Sequence, residues 1–271
     1  MEDLADRGLA ADGTIAREGD LALVPAAFAP VVAAARDQIT AAFDGGRLHS
    51  AYLYGSIPRG TAVPGVSDLD VQVVTRGEPT PADRAAASRM EAAIDGSFPQ
   101  VNGVGVLLAS EGLLLSEIER YDGGFFVACL CTPLLGEDLA ARLPGYRPTS
   151  LLARETNGDL GVQLPEWRAK VAGAVTDAAR RALSRGIGRK LVRTGFTLVM
   201  PRWGGWTSDL KRSAEIFGGY YPERAGQMRA AAGVARAPLA DPAVLRQFIE
   251  DLGPWLAAEY TTVHGERAPR P

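Results

Sequence analysis

The sequence predicts an α+β chain in two parts: a mixed β-sheet with flanking helices, then a C-terminal helical bundle. Three observations point there. Short runs rich in apolar, β-branched and aromatic residues, at 51–54, 69–74, 101–108 and 125–131, are interspersed with helical patterns over the first half. The cluster Leu143-Pro144-Gly145-Tyr146-Arg147-Pro148 then changes the character of the chain and marks a boundary. Beyond it almost every patterned stretch has helical spacing. The expected division is a lead-in at 1–20, a sheet domain at 21–147 and a helical domain at 148–271.

The elements follow in order. Residues 25–43 read as a helix, with Val31, Val32, Ile39 and Phe43 at helical spacing. Pro25 and Pro30 suit its entry, and Gly45-Gly46 should stop it. A strand at 51–54 ends on Gly55-Ser56, and a second at 69–74 carries the β-branched Val71, Val73 and Val74. Thr80-Pro81 opens a helix to 94. Strands at 101–108 and 125–131 bracket a short helix at 116–120. Helices are then expected at 166–185, 189–200, 222–236 and from Asp241-Pro242 onward. Gly186-Ile187-Gly188 should break or kink the first, Pro201 should stop the second, Thr207 or Ser208 should cap the helix after Trp206, and Gly253-Pro254 should kink or split the last. A Rossmann fingerprint is excluded, because the Gly-rich turn lacks its third glycine and the following helix is too short.

Composition narrows the function classes. The chain has 271 residues, 46% of them apolar and 23% charged, enough to bury a core without disulfides or structural metal. The net charge of −3, without a basic tail, disfavours a long nucleic acid as partner. The start, Met1-Glu2-Asp3-Leu4-Ala5-Asp6, is acidic and is not read as a signal peptide, so the cytoplasm is the expected location, with no membrane partner. The two cysteines, Cys129 and Cys131, should share one face of a strand and serve as small core residues. Lysine is confined to Lys170, Lys190 and Lys211.

One segment carries chemistry. Gly55-Ser56 directly follows a strand, Ile57-Pro58-Arg59-Gly60 continues the turn, and Ser67-Asp68-Leu69-Asp70 opens the next strand. A Gly-Ser turn at a helix N-terminus offers N–H groups and a hydroxyl to phosphate oxygens. Arg59 can add a charge-assisted contact. Asp68 and Asp70 leave the strand on the same side, and two carboxylates beside a phosphate site suit Mg²⁺.

This pattern, Gly-Ser … Arg-Gly … Ser-Asp-Leu-Asp over 51–74, resembles the DNA-polymerase-β-like nucleotidyltransferase superfamily. Its size and helical second half look like the antibiotic nucleotidyltransferases, the streptomycin and spectinomycin adenylyltransferases and their bacterial relatives. The resemblance implies a nucleotidyltransferase fold. It implies that Gly55, Ser56, Arg59 and Ser67 bind the nucleotide and that Asp68 and Asp70 hold Mg²⁺. It implies that an acceptor hydroxyl attacks the α-phosphate of ATP or another NTP and expels pyrophosphate.

Such proteins normally supply a third acid from a later strand. The strand at 101–108 contains none: Asn102 is its polar residue, and glycine stands at 103 and at 105, where the acid is expected. Replacements are Glu111, Asp122, Glu137, Glu155 and Asp159. Some relatives take a base from the helical domain, which brings Glu155 forward as the catalytic residue. Arg185, Arg189 and Arg193 recur at four-residue spacing beside Lys190. By the same resemblance Lys190 and Arg193 are nucleotide-binding candidates. Trp203, Trp206, Tyr220 and Tyr221 could stack on a ring, although such residues are more often core, and Asp209 and Glu215 could face a cationic acceptor.

The expected function is Mg²⁺-dependent transfer of a nucleoside monophosphate, most simply AMP from ATP, to a hydroxyl of a small molecule such as an aminoglycoside-like compound. Two alternatives stand beside it: nucleotidylation of tRNA or protein, and a non-catalytic nucleotide-binding regulator that lacks the third acid.

Overall fold

A computed structural model of the chain describes residues 4–43 and 46–270. Part of the acidic start and Gly45 of the expected helix stop lie outside the described residues. The chain divides into a sheet unit, Ala16–Tyr146, and a helical unit that joins the residues before Ala16 to those from Arg147 onward. Residues 4–15 thus go with the helices, where Trp206 N donates to the Arg7 carbonyl.

The sheet unit contains β1 (Leu48–Tyr54), β2 (Leu69–Thr75), β3 (Val104–Ser110) and β4 (Cys131–Gly136), in the order β3-β2-β1-β4. β1 is antiparallel to β2 and β4, whereas β2 is parallel to β3. Side chains alternate across the sheet. Leu69, Val71 and Val73 of β2 join Ala51 and Leu53 of β1 against α1 (Ala29–Ala42) and α2 (Pro81–Asp95), whose Val31, Ile39, Met90 and Ile94 are buried there. The opposite face carries Tyr52, Val74 and Cys131, covered by Leu114, Val127 and Leu139. A reciprocal capping box between Thr80 and Asp83 starts α2.

Between β3 and β4 the expectations fail. The short helix is α3 (Glu111–Leu114), with turns where 116–120 was expected to be helical. The run at 125–131 is not a strand: α4 (Gly123–Phe125) passes into a π-helical turn, Phe126–Leu130, and β4 begins only at Cys131. A short apolar run without alternation fits either state, and these residues take a helical one against the sheet. The two cysteines therefore do not share a strand face. β4 tolerates Pro133 because it is an edge strand.

The helical unit comprises α5 (Ser150–Asn157), α6 (Leu160–Gly173), α7 (Asp177–Trp203), α8 (Leu210–Tyr220), α9 (Ala225–Arg236), α10 (Pro242–Gln247) and α11 (Gly253–His264). The helix expected at 166–185 is divided between α6 and α7, because Thr176 accepts from Ala179 N and starts a new helix. Gly186-Ile187-Gly188 does not break it. α7 runs through this point and through Pro201 to Gly204, whose φ of 73° ends it. The reason is packing against α9: a Cβ on Gly188 would lie 2.8 Å from the Ala231 carbonyl oxygen. Asp209, rather than Thr207 or Ser208, caps α8. A π-helical turn, Phe248–Leu252, joins α10 to α11 at the expected interruption. No helix among the described residues is long and apolar enough to cross a membrane.

Candidate active site

β2 positions the two aspartates. Asp70 is its second residue and lies in register with Tyr54 of β1 and Gly105 of β3. Asp68 stands just before the strand. Leu69 N donates to the Gly103 carbonyl at 2.9 Å, and Asn102 N to the Ser67 carbonyl at 3.0 Å, so the parallel ladder already holds this residue in place. Both side chains leave the sheet on the face opposite α1 and α2.

Glycines surround them. Gly55 has φ 83°, and a Cβ there would lie 2.5 Å from Asp70 Oδ2. Both facts require glycine. Across the ladder, a Cβ on Gly105 would lie 3.7 Å from Asp70 Oδ1, and one on Gly103 3.7 Å from Asp68 Oδ1. The strand that lacks an acid thus places glycines, without side chains, beside both carboxylates. Glycine alternating within a strand is the sequence signal for such close approach.

The Gly-Ser turn differs from expectation in one respect. Residues 56–60 form turns, not the first turn of a helix. Thr61 N donates to the Ser56 carbonyl at 3.0 Å, and Gly60 N to that of Ile57 at 3.1 Å. Any anion would meet turn N–H groups and a hydroxyl without a helix behind them. Ser67 Oγ accepts from Val63 N at 2.9 Å and braces the loop leading to Asp68. Arg59 Nη1 lies 3.4 Å from Glu18 Oε2.

Among the described residues, no three His, Cys, Asp or Glu side chains form a group able to hold a metal ion. Register removes one replacement for the missing acid. Glu111 follows Ser110, the partner of Thr75 at the far end of β2. Six residues of strand separate it from Gly105, about 20 Å. There it is bound by Arg142, with His49 Nε2 at 3.8 Å; these contacts, the Arg142 hydrogen bond first, hold its carboxyl below the ordinary range.

Asp122 and Glu137 lie in the sheet unit, whereas Glu155, Asp159, Lys190 and Arg193 belong to the helical unit. Glu155, on α5, is buried, with Arg154 Nε 2.9 Å from Oε1 and Arg270 Nη2 3.8 Å from Oε2. Lys190 Nζ lies 2.6 Å from Asp159 Oδ1 and 3.2 Å from Asn157 Oδ1, and Arg267 Nη1 lies 3.1 Å from Asp159 Oδ2. Burial opposes the charge of Asp159, but the Lys190 charge and hydrogen bond, with Arg267, hold its carboxyl below the ordinary value. Arg193 is exposed on α7, and the unbroken helix places Arg185, Arg189 and Arg193 along one side.

The other candidates are held by ring, cap and charge contacts within the helical unit. The Trp203 ring lies between Arg7 and Arg212 and edge-on to Phe196, which Trp206 also meets. Tyr221 stacks on Phe217 and donates to Glu259, while Arg202 covers Tyr220. Asp209 accepts from Arg212 N as a helix cap, and Glu215 lies 3.9 Å from Lys211. Burial pushes the Cys129 thiol up to about 12 and the Cys131 thiol well above its ordinary value, which disfavours the thiolate in both.

No family model matches the chain, and no curated protein matches it either. Among solved structures it is similar to spectinomycin adenyltransferase AAD(9) from Enterococcus faecialis, solved with ATP and spectinomycin. The TM-score is 0.52 at 13% identity, over 86% of this chain and 98% of that one. The likeness extends over both units and is one of fold.

Proposed function

We propose that this protein is a Mg²⁺-dependent nucleotidyltransferase that moves a nucleoside monophosphate, AMP from ATP in the first instance, to a hydroxyl of a small molecule. The observation that carries this reading is the pair Asp68 and Asp70 on one sheet face, flanked by Gly55, Gly103 and Gly105, beside the Gly55-Ser56 turn. The fold likeness to AAD(9), a protein solved with ATP, supports it.

The donor set fits Mg²⁺: two carboxylates, hard oxygen donors, from neighbouring positions, with glycine at 55, 103 and 105 beside them. Asp68 and Asp70 would hold the ion, which supplies charge neutralisation at the triphosphate. The N–H groups of the turn and the Ser56 hydroxyl would bind phosphate oxygens, and Arg59, Lys190 and Arg193 are assigned its remaining charge. In the transfer the acceptor oxygen bonds to the α-phosphorus, the α–β P–O bond breaks, and pyrophosphate leaves. Glu155 takes the hydroxyl proton. An aminoglycoside-like acceptor, bearing cationic groups near the hydroxyl, suits the acidic balance of the chain.

The test is pyrophosphate release from each NTP with Mg²⁺ and a panel of aminoalcohols. Release is expected with at least one pair, and Asp70→Asn should lower it by about a thousandfold or more, since such groups act as a unit. The glycines at 103 and 105 favour one other reading, a nucleotide-binding regulator. Calorimetric binding of Mg²⁺-ATP without release across the whole panel would select it.

A further inference from the structure

Residues 265–270 form a feature that the proposed reaction does not use. α11 stops at Gly265, whose φ of 80° turns the chain away from the helix. Residues 265–270 then run without regular structure onto the carboxylates of α5 and its C-terminal flank. Arg267 Nη1 reaches Asp159 Oδ2 at 3.1 Å. Arg270 Nη2 lies 3.8 Å from Glu155 Oε2 and donates to the Glu155 carbonyl at 3.4 Å. The two arginine side chains are only 13% and 19% exposed. Gly158 makes room, since a Cβ there would stand 3.3 Å from Arg267 Cβ. Ordering an arginine costs rotamer entropy, and a segment that seats two of them does so through specific pairing.

We propose that residues 266–270 are an inhibitory strap, seated by Arg267 and Arg270, that gates access to Glu155 and Asp159. The proposal rests on the reading of Glu155 as proton acceptor. With the strap down, both Glu155 oxygens face guanidinium groups, Arg154 on one side and Arg270 on the other. These guanidinium groups occupy the approaches to both oxygens. They also fill the space that a cationic group of a substrate would need. With the strap lifted, Glu155 keeps Arg154 on Oε1 and its Oε2 becomes available, whereas Asp159 keeps Lys190 on Oδ1 and Gln163 on Oδ2.

The experiment uses the full chain and agmatine, which carries one guanidinium and one ammonium group, as probe. Titration calorimetry compares wild type, R267A/R270A, and Glu266→Ala, which alters an exposed residue of the same segment. R267A/R270A is expected to bind agmatine at least tenfold more tightly than the other two. Adding Glu155→Gln to it should remove the gain. Equal affinity in all three proteins overturns the strap. Should the double variant fail to fold, R270A alone carries the comparison, with a gain of threefold or more expected and equality again overturning it. Agmatine binding requires no turnover. A gain in a chain that releases no pyrophosphate under any condition keeps the strap and discards the catalytic role of Glu155. No gain in an active enzyme discards the strap alone.

Discussion

Asp70 sits between a glycine that touches it and a glycine that leaves it room. Gly55 is legible from sequence because a turn directly after a strand is a local feature. The space at Gly105 is not, because it depends on the parallel register of β2 with β3, which sequence spacing does not set. That register makes Gly105→Asp informative. A carboxylate there would start 3.7 Å from Asp70 Oδ1 and supply the third acid. The expected result is Mn²⁺ binding several-fold tighter than wild type, read by water-proton relaxation. Unchanged Mn²⁺ affinity would show that Asp70 does not hold a metal. Lys190 teaches the opposite lesson. Sequence singles it out as a rare lysine, but its bond to Asp159 is a tertiary contact. Asp159 has its carboxyl held below the ordinary value of 3.8, so its contribution to stability is complete above the unfolded pKa and is lost as pH falls through the folded one. Asp159→Asn is therefore expected to cost about 1–3 kcal/mol at neutral pH, where it leaves Lys190 and Arg267 without their carboxylate. Below about pH 4 the difference from wild type should shrink. Urea midpoints at pH 7 and pH 3.5 measure both.

At the scale of elements, α7 shows why helix breakers are ambiguous signals. Gly186 and Gly188 read alike in the sequence, and both suggest a break. In the structure Gly186 meets nothing within 4 Å, whereas Gly188 lies against the backbone of α9. An interior glycine costs about 1 kcal/mol relative to alanine. At 188 the close approach of α9 offsets that cost, and at 186 nothing does. The two alanine substitutions should therefore have opposite signs. Gly186→Ala is expected to stabilise the protein by about 0.5–1 kcal/mol. Gly188→Ala is expected to destabilise it by about 1–3 kcal/mol, because the 2.8 Å contact with the Ala231 carbonyl must be relieved by a backbone shift. Chemical denaturation of the two variants decides. Destabilisation by both would mean that α7 needs its glycines for something other than packing on α9. The run at 125–131 failed for a related reason: its apolar residues lack a period, and only their burial against the sheet selects the helical form.

For the whole molecule, two levels of information meet. The mixture of strands and helices was legible from periodicity, because it depends on neighbours in sequence. The joining of residues 4–15 to the helical unit was not, since it rests on contacts such as Arg7 with Trp206 that span the chain. The acceptor class also belongs to this scale, and charge is the property that bears on it. Twenty-nine basic residues face thirty-two acidic ones, and many arginines are already paired within their own unit, among them Arg17 with Asp138 and Arg224 with Asp251. A polynucleotide acceptor needs several basic groups left over for phosphates, and its binding would weaken steeply with salt. Incubation with ATP labelled at the α-phosphorus, Mg²⁺ and a cell extract, followed by separation by size, is therefore expected to place the label in small molecules. Transfer should change little between 50 and 200 mM salt, a range over which about six phosphate contacts would cost a thousandfold in affinity. Label in tRNA or in protein would move the acceptor to the macromolecular class while leaving Asp68 and Asp70 in their proposed role.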